Sequence, residues 1–189
     1  MVKPRELDNG AAHRLLCRIG EGDQQAFIEL FLTINRRVFL FAKHRLDNQE
    51  DAEEVLNDTA MELWRHPERF RGDSKFMTYV LGIANNKASD LWRRRGRPEE
   101  DPADEIEDVP DEDPTPFEAV WGKEKLAAIA RCMELLSARG RTIVHLAYFE
   151  DLSRDEIGRI VGCEGNAVRQ HLHQALLKMK GCLAASGLG

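Results

Sequence analysis

Several things are scarce or missing in this chain. Its four cysteines, Cys17, Cys132, Cys163 and Cys182, stand in 189 residues without a CxxC or CxxxH spacing. Neither a disulfide framework nor a zinc site is expected from them, and each reads as a small buried thiol. His171 and His173 are two apart on a predicted helix, so they point in different directions and make a poor chelating pair. There is no HExxH, GxSxG or P-loop and no paired His/carboxylate cluster, which leaves a helical hydrolase or metalloenzyme without residues to carry it. No enzyme activity, cofactor or metal is therefore expected. No apolar run approaches the roughly 20 residues that span a bilayer. The N-terminus, MVKPRELDNGAAHRLL, lacks the uninterrupted apolar core of a signal peptide, so the protein is expected in the cytoplasm.

An excess of basic charge is missing too, since the net charge is −6, which at first speaks against a nucleic-acid partner. Its distribution reverses that impression. Residues 1–97 carry 17 Lys/Arg against 15 Asp/Glu, residues 98–118 carry 0 against 11, and residues 119–189 carry 10 against 7. The acidity is confined to one stretch, and both flanking parts are weakly basic. That stretch, PEEDPADEIEDVPDEDPTPF, has five prolines and almost no apolar content. It cannot repay its ordering entropy and is expected to be an extended tether.

What is present is helical patterning on both sides of the tether. Leu15, Leu16 and Ile19 precede a Gly-Glu-Gly-Asp break; after it Ala26, Phe27, Leu30, Phe31, Ile34, Val38, Phe41 and Ala42 recur at three- and four-residue intervals. In DAEEVLNDTAMELW the inward stripe is Ala52, Val55, Leu56, Thr59, Ala60 and Leu63, which turns Glu53, Glu54, Asn57, Asp58, Met61 and Glu62 to solvent. Asp47 with Glu50 reads as its capping box. A polar loop, RFRGDSK, follows, with Gly72 freeing the turn and Asp73 or Ser74 placed to cap the next helix. That helix buries Phe76, Val80, Ile83, Ala84, Ala88 and Leu91, and ends among Arg93, Arg94, Arg95 and Arg97.

Beyond the tether, a helix opening near Trp121 carries Leu126, Ile129, Ala130, Met133 and Leu136. Ser137 caps another that runs to about Phe149. Ser153 and Glu156 form a capping box for a helix burying Ile157, Ile160 and Val161, and Gly162 ends it. After a short turn, Val168, Leu172, Ala175 and Met179 repeat at helical spacing. Two short helices about a glycine-containing turn, with Asn166, Arg169, Gln170, His173 and Gln174 on the polar face of the second and Lys178 near its end, are a helix-turn-helix signature. The fold class expected is all-α: a helical bundle over 1–97, an acidic linker over 98–120 and a helix-turn-helix domain over 121–189.

DAEEVLNDTAMELW followed by FRGDSKFMTYVLGIANNKASDLWRRR resembles region 2 of the small bacterial sigma factors of the extracytoplasmic-function (ECF) group, and the helix-turn-helix stretch resembles their region 4. The resemblance spans about Leu15 to Lys180. It implies an alternative sigma factor that joins core RNA polymerase through the coiled coil of the largest subunit and the flap region, and that an anti-sigma factor restrains. Asp51, Glu54, Asn57, Asp58 and Met61 match the polymerase-docking face. Phe70, Arg71, Gly72, Asp73, Ser74 and Lys75 match the loop that holds an unstacked base of the −10 promoter element, with Tyr79, Asn86, Asp90, Arg93 and Arg94 on the helix after it. Asn166, Arg169, Gln170, His173, Gln174 and Lys178 match the surface that reads the −35 element, and the linker matches a segment that threads a basic polymerase channel. Phe70, Tyr79 and Trp92 are candidate stacking surfaces, and each could equally be a core residue. The chain departs from the family at Ala60, Met77, Gly82 and Asn85, and has tyrosine at Tyr79 for the usual tryptophan. It departs again at Asn166, Ala167, His171, Gln174 and Leu176, where glycine, threonine and arginine are common; fewer cations release fewer counterions, so weak DNA binding is expected of the isolated second domain. The alternative is a helix-turn-helix regulator that never joins the polymerase, and an exposed acidic helix face has no use in such a protein.

Overall fold

The computed structural model describes residues 7–96 and 123–187, with side chains from residue 128 onward in the second stretch. The expected tether over 98–120 lies outside the described residues, as do Arg97, Trp121 and the side chain of Leu126. Contacts divide the chain into two compact units, Met1–Pro98 and Glu99–Gly189. Every regular element among the described residues is helical.

The first unit contains α1 (Asn9–Gly20), α2 (Gln24–Leu46), α3 (Gln49–Arg65) and α4 (Phe76–Arg94), with a 3-10 turn at Pro67–Arg69. Helices α2, α3 and α4 pack against one another and α1 packs on α2 and α3. The apolar stripes meet in one core around Leu30, Ile34, Phe41, Val55, Leu63, Phe76 and Leu81, all fully buried. Each such side chain contributes about 1.5–3 kcal/mol of burial.

The helix starts differ from the expected ones in an instructive way. Asp47 ends α2 in the left-handed conformation, φ 53°, which a short polar side chain tolerates. The cap of α3 is the next residue, Asn48, whose side chain accepts the Asp51 N–H. Neither Asp73 nor Ser74 caps α4. That end is held from a distance by Asn9, whose Nδ2 donates to the Ser74 carbonyl at 2.8 Å while its Oδ1 accepts the Phe76 N–H at 2.9 Å. Asn9→Ala removes both bonds at once. It is expected to cost the first unit about 1–2 kcal/mol and to raise hydrogen exchange at the Phe76 amide. Unchanged protection there would refute the assignment of Asn9 as the cap.

The second unit contains α5 (Lys123–Glu134), α6 (Ala138–Tyr148), α7 (Arg154–Val161) and α8 (Gly165–Ala185). Ser137 accepts the Gly140 N–H, and Ser153 with Glu156 closes the expected capping box. Gly162, at φ 72°, turns the chain from α7 toward α8. Helix α8 is the centre of this unit, packing on α5, α6 and α7, and Val168, Leu172, Ala175 and Met179 are all buried.

Two features of this unit have no counterpart in the local sequence pattern. Cys132 on α5 and Cys182 on α8 are joined as a disulfide, with Cα atoms 5.8 Å apart, while Cys17 is exposed and Cys163 half-buried. The expectation of four small buried thiols is thereby corrected: the pairing is set by α5 lying against α8, which sequence spacing does not encode. The turn of the helix-turn-helix also closes onto Gly158, where a Cβ would fall 2.5 Å from the Cys163 carbonyl oxygen. Gly158→Ala must push the turn backbone away from α7. It is expected to cost about 1–3 kcal/mol, visible in the denaturant unfolding of the second unit; a loss under a few tenths would show the turn to be compliant.

Candidate functional site

Helix α3 begins the site. Glu53, Asn57, Asp58 and Met61 are exposed and Glu54 is half-exposed, so carboxylates and one flexible apolar side chain share the solvent face. Asp51 does not join them. Its side chain is 1% exposed and ion-paired with Arg95 at the end of α4, which corrects its assignment to the docking face. The reason is periodicity: Asp51, Val55, Thr59 and Leu63 follow at four-residue intervals and all four are buried. Glu62 is also drawn inward, bonding Lys87 at 3.1 Å and Arg69 at 2.5 Å. The hydrogen bond from Lys87 and the charges of Lys87 and Arg69 outweigh burial and hold its carboxyl below the ordinary value of 4.5. This tie joins α3, the 3-10 turn and α4. A lowered carboxyl stabilises the fold above its ordinary value, and that contribution is lost as pH falls through the lowered one.

The loop after α3 is divided between core and surface. Arg71, Gly72, Asp73 and Lys75 are exposed and Ser74 half-buried, with Gly72 at φ 82°. Phe70 is 4% exposed and packs edge-on against Phe76 at 5.2 Å and tilted against Tyr79 at 5.3 Å. It serves as the loop's anchor, the core alternative of its two readings, which corrects its place among the residues facing the −10 element. Tyr79 is half-buried, and desolvation raises its phenol above the usual value. Trp92 is half-buried.

Along α4, Tyr79, Asn86, Asp90 and Arg93 follow at helical intervals on one stripe, and the last three are exposed. The stripe runs about 21 Å from Tyr79 to Arg93. Asp90 pairs with Arg93 at 2.5 Å, and Arg94 reaches across to Glu54 at 2.9 Å. Asp58, Lys87, Asp90, Arg93 and Arg94 together line an open groove.

On α8, Asn166 and Lys178 are exposed while Arg169, His173 and Gln174 are half-exposed. Gln170 is 8% exposed, which corrects its place among the base-reading side chains. Because α8 packs on three helices, its covered surface is wider than the single stripe read from Val168 to Met179. Asn166, Arg169 and His173 keep a three- and four-residue spacing on the open side. Sequence reasoning missed the roles of Asn9 and Arg95, which position the loop and the end of α4 through bonds within the first unit. Only Asp51's place in the four-residue series hinted at the second of these.

No helix among the described residues is long and apolar enough to cross a membrane, and no group of His, Cys, Asp and Glu among them is arranged to hold a metal. Two family models match the chain in order: Sigma-70 region 2 over residues 30–98 and Sigma-70, region 4 over residues 126–179. Among curated relatives, the ECF RNA polymerase sigma factor SigD of Mycobacterium tuberculosis is 29% identical over 174 residues, covering 88% of this chain and 81% of that one. The RNA polymerase sigma-H factor of Pseudomonas aeruginosa is 27% identical, covering 86% of this chain and 88% of its own length. A solved structure of the sigma factor RpoE in complex with the anti-sigma factor NepR from Bartonella quintana is similar in fold, with a TM-score of 0.64 at 22% identity over 84% of this chain and 96% of that one. With one model on each helical unit and relatives that run through both, the chain belongs to the sigma-70 family of RNA polymerase sigma factors, in its extracytoplasmic-function group.

Proposed function

We propose that the chain acts as a promoter-specificity subunit that joins core RNA polymerase through the solvent face of α3, with Glu54, Asn57, Asp58 and Met61 as its contacts. The exposed part of the loop, Arg71 to Lys75, holds an unstacked base of the −10 element. Asn86, Asp90, Arg93 and Arg94 lie against the strand beside it, and Asn166, Arg169, His173, Gln174 and Lys178 face the −35 element. The observation that carries this reading is the pairing of an acidic, exposed helix face with a helix-turn-helix on a separate compact unit, in the order region 2 then region 4. A DNA-binding regulator needs the second feature but not the first.

No covalent step is required. Capturing a flipped base offsets the few kcal/mol lost on unstacking, so binding energy alone drives strand opening. The protein works in the cytoplasm and is restrained by an anti-sigma factor, as the Bartonella quintana relative was solved with one. Reconstituting the full chain with core polymerase and sequencing the transcripts it initiates tests the whole reading. Initiation at a discrete set of start sites, dependent on the chain, is the expected result. Sequence-specific DNA binding with no association to core polymerase would leave a conventional regulator instead.

A further inference from the structure

The side chains expected to meet the polymerase and those expected to meet DNA are bonded to each other. Glu54 of α3 and Arg94 of α4 form a 2.9 Å ion pair in which the arginine is 60% and the carboxylate 39% exposed. One residue further on, Arg95 is clamped to the buried Asp51, which pins the end of α4 on the start of α3. Arg94 is therefore held beside Glu54 by the neighbouring Arg95–Asp51 pair, whose carboxylate is buried, while its own pair stays open to water and to exchange. Asp58 lines the same groove as Arg94, Arg93 and Lys87.

We propose that Glu54 is an internal counter-anion for Arg94. In the free chain the carboxylate occupies the guanidinium and weakens its contact with a phosphate. When a basic protein surface engages Glu54, Arg94 is released to the nucleic-acid backbone. Arg95, tied to a carboxylate that cannot follow it to the surface, takes no part in the exchange and keeps α4 in place while Arg94 changes partner. Docking and strand contact are then coupled by one exchangeable ion pair, and by reciprocity each event favours the other to the same degree. The release half of this proposal rests on the reading of the α3 face as the polymerase contact.

An exposed pair is worth at most about 1 kcal/mol, a factor of about five, which sets the size of the effect. The test uses the full-length chain and a labelled mixed-sequence single-stranded DNA, since a phosphate contact is independent of sequence. Glu54→Gln is expected to tighten binding about two- to fivefold, and to steepen its salt dependence by about 0.7 per phosphate gained. In an Arg94→Gln background the same change should have no such effect. Glu53→Gln is the control for net charge alone, because Glu53 lies one residue away and bonds Gln49; a gain equal to that of Glu54→Gln would overturn the proposal. In the reciprocal arm, without DNA, Arg94→Gln should tighten association with core polymerase by a similar factor, and unchanged or weaker association overturns the coupling. If the wild-type chain does not associate with core polymerase at all, the docking reading falls and the release step with it, whereas the DNA arm still decides whether Glu54 masks Arg94.

Discussion

Reduction of the Cys132–Cys182 bridge is expected to lower the stability of the second unit by about 4 kcal/mol. The two cysteines are 50 residues apart in sequence, and opening a loop of that size returns about that much chain entropy to the unfolded state. For a small helical unit whose whole stability is about 5–15 kcal/mol, the loss is a large fraction. At about 4–8 °C per kcal/mol for a unit of this size, the corresponding transition should fall by about 15 °C or more. The first unit contains only the exposed Cys17, so its transition supplies an internal reference. Calorimetry of the full chain with and without a thiol reductant reads both. Cys182→Ser should reproduce the reduced behaviour without reductant. A second-unit transition that ignores reductant while thiol titration reports four free thiols would show that the bridge contributes nothing.

The features that the sequence made legible are those whose causes are local. The 3.6-residue apolar series drew α2, α3, α4 and α8, because burial of one face is written in consecutive turns. The Ser153–Glu156 box and the left-handed Gly162 bracketed α7 for the same reason: each needs only residues within one turn. What was hidden is nonlocal. Asn9 caps α4 from more than 60 residues away, and a polar residue at the start of one helix carries no mark that it serves another. The cysteine pair depends on α5 lying against α8.

Asp51 is the more telling case, since its burial was within reach. The series Asp51, Val55, Thr59, Leu63 is as regular as any in the chain, yet a carboxylate in a series of apolar residues reads as its solvent end. Arg95, arriving at the end of another helix, pairs with the inward carboxylate and offsets part of the cost of burying its charge. Phe70 and Gln170 differ from expectation for a related reason. A family template aligns positions, whereas the packing of this chain decides which aligned side chains reach the surface. Phe70 meets Phe76 and Tyr79 and is held inside; Asp58, Asn86 and Arg93 stay exposed, and Glu54 keeps part of its surface beside Arg94.

Reversing the charge of Glu54 and Asp58 together, to lysine, is expected to abolish association with core polymerase, lowering affinity about a hundredfold or more. Both carboxylates stand on the solvent face of α3, so a complementary docking surface is basic, and like charges brought together across an interface cost several kcal/mol. The fold has little stake in either residue. Asp58 is exposed, and Glu54 contributes one exposed ion pair, so thermal unfolding of the first unit should move by no more than an exposed-pair loss of about 1 kcal/mol. Asp51→Asn separates docking from structure. It changes a carboxylate of the same helix, but one sealed beneath Arg95, and should lower stability while leaving the association of the folded chain within a few-fold of wild type. If the double reversal binds core polymerase as wild type does, the acidic face of α3 is not the contact. If Asp51→Asn instead loses binding at full stability, the start of α3 must open on docking, and the Asp51–Arg95 pair would then be the element that moves.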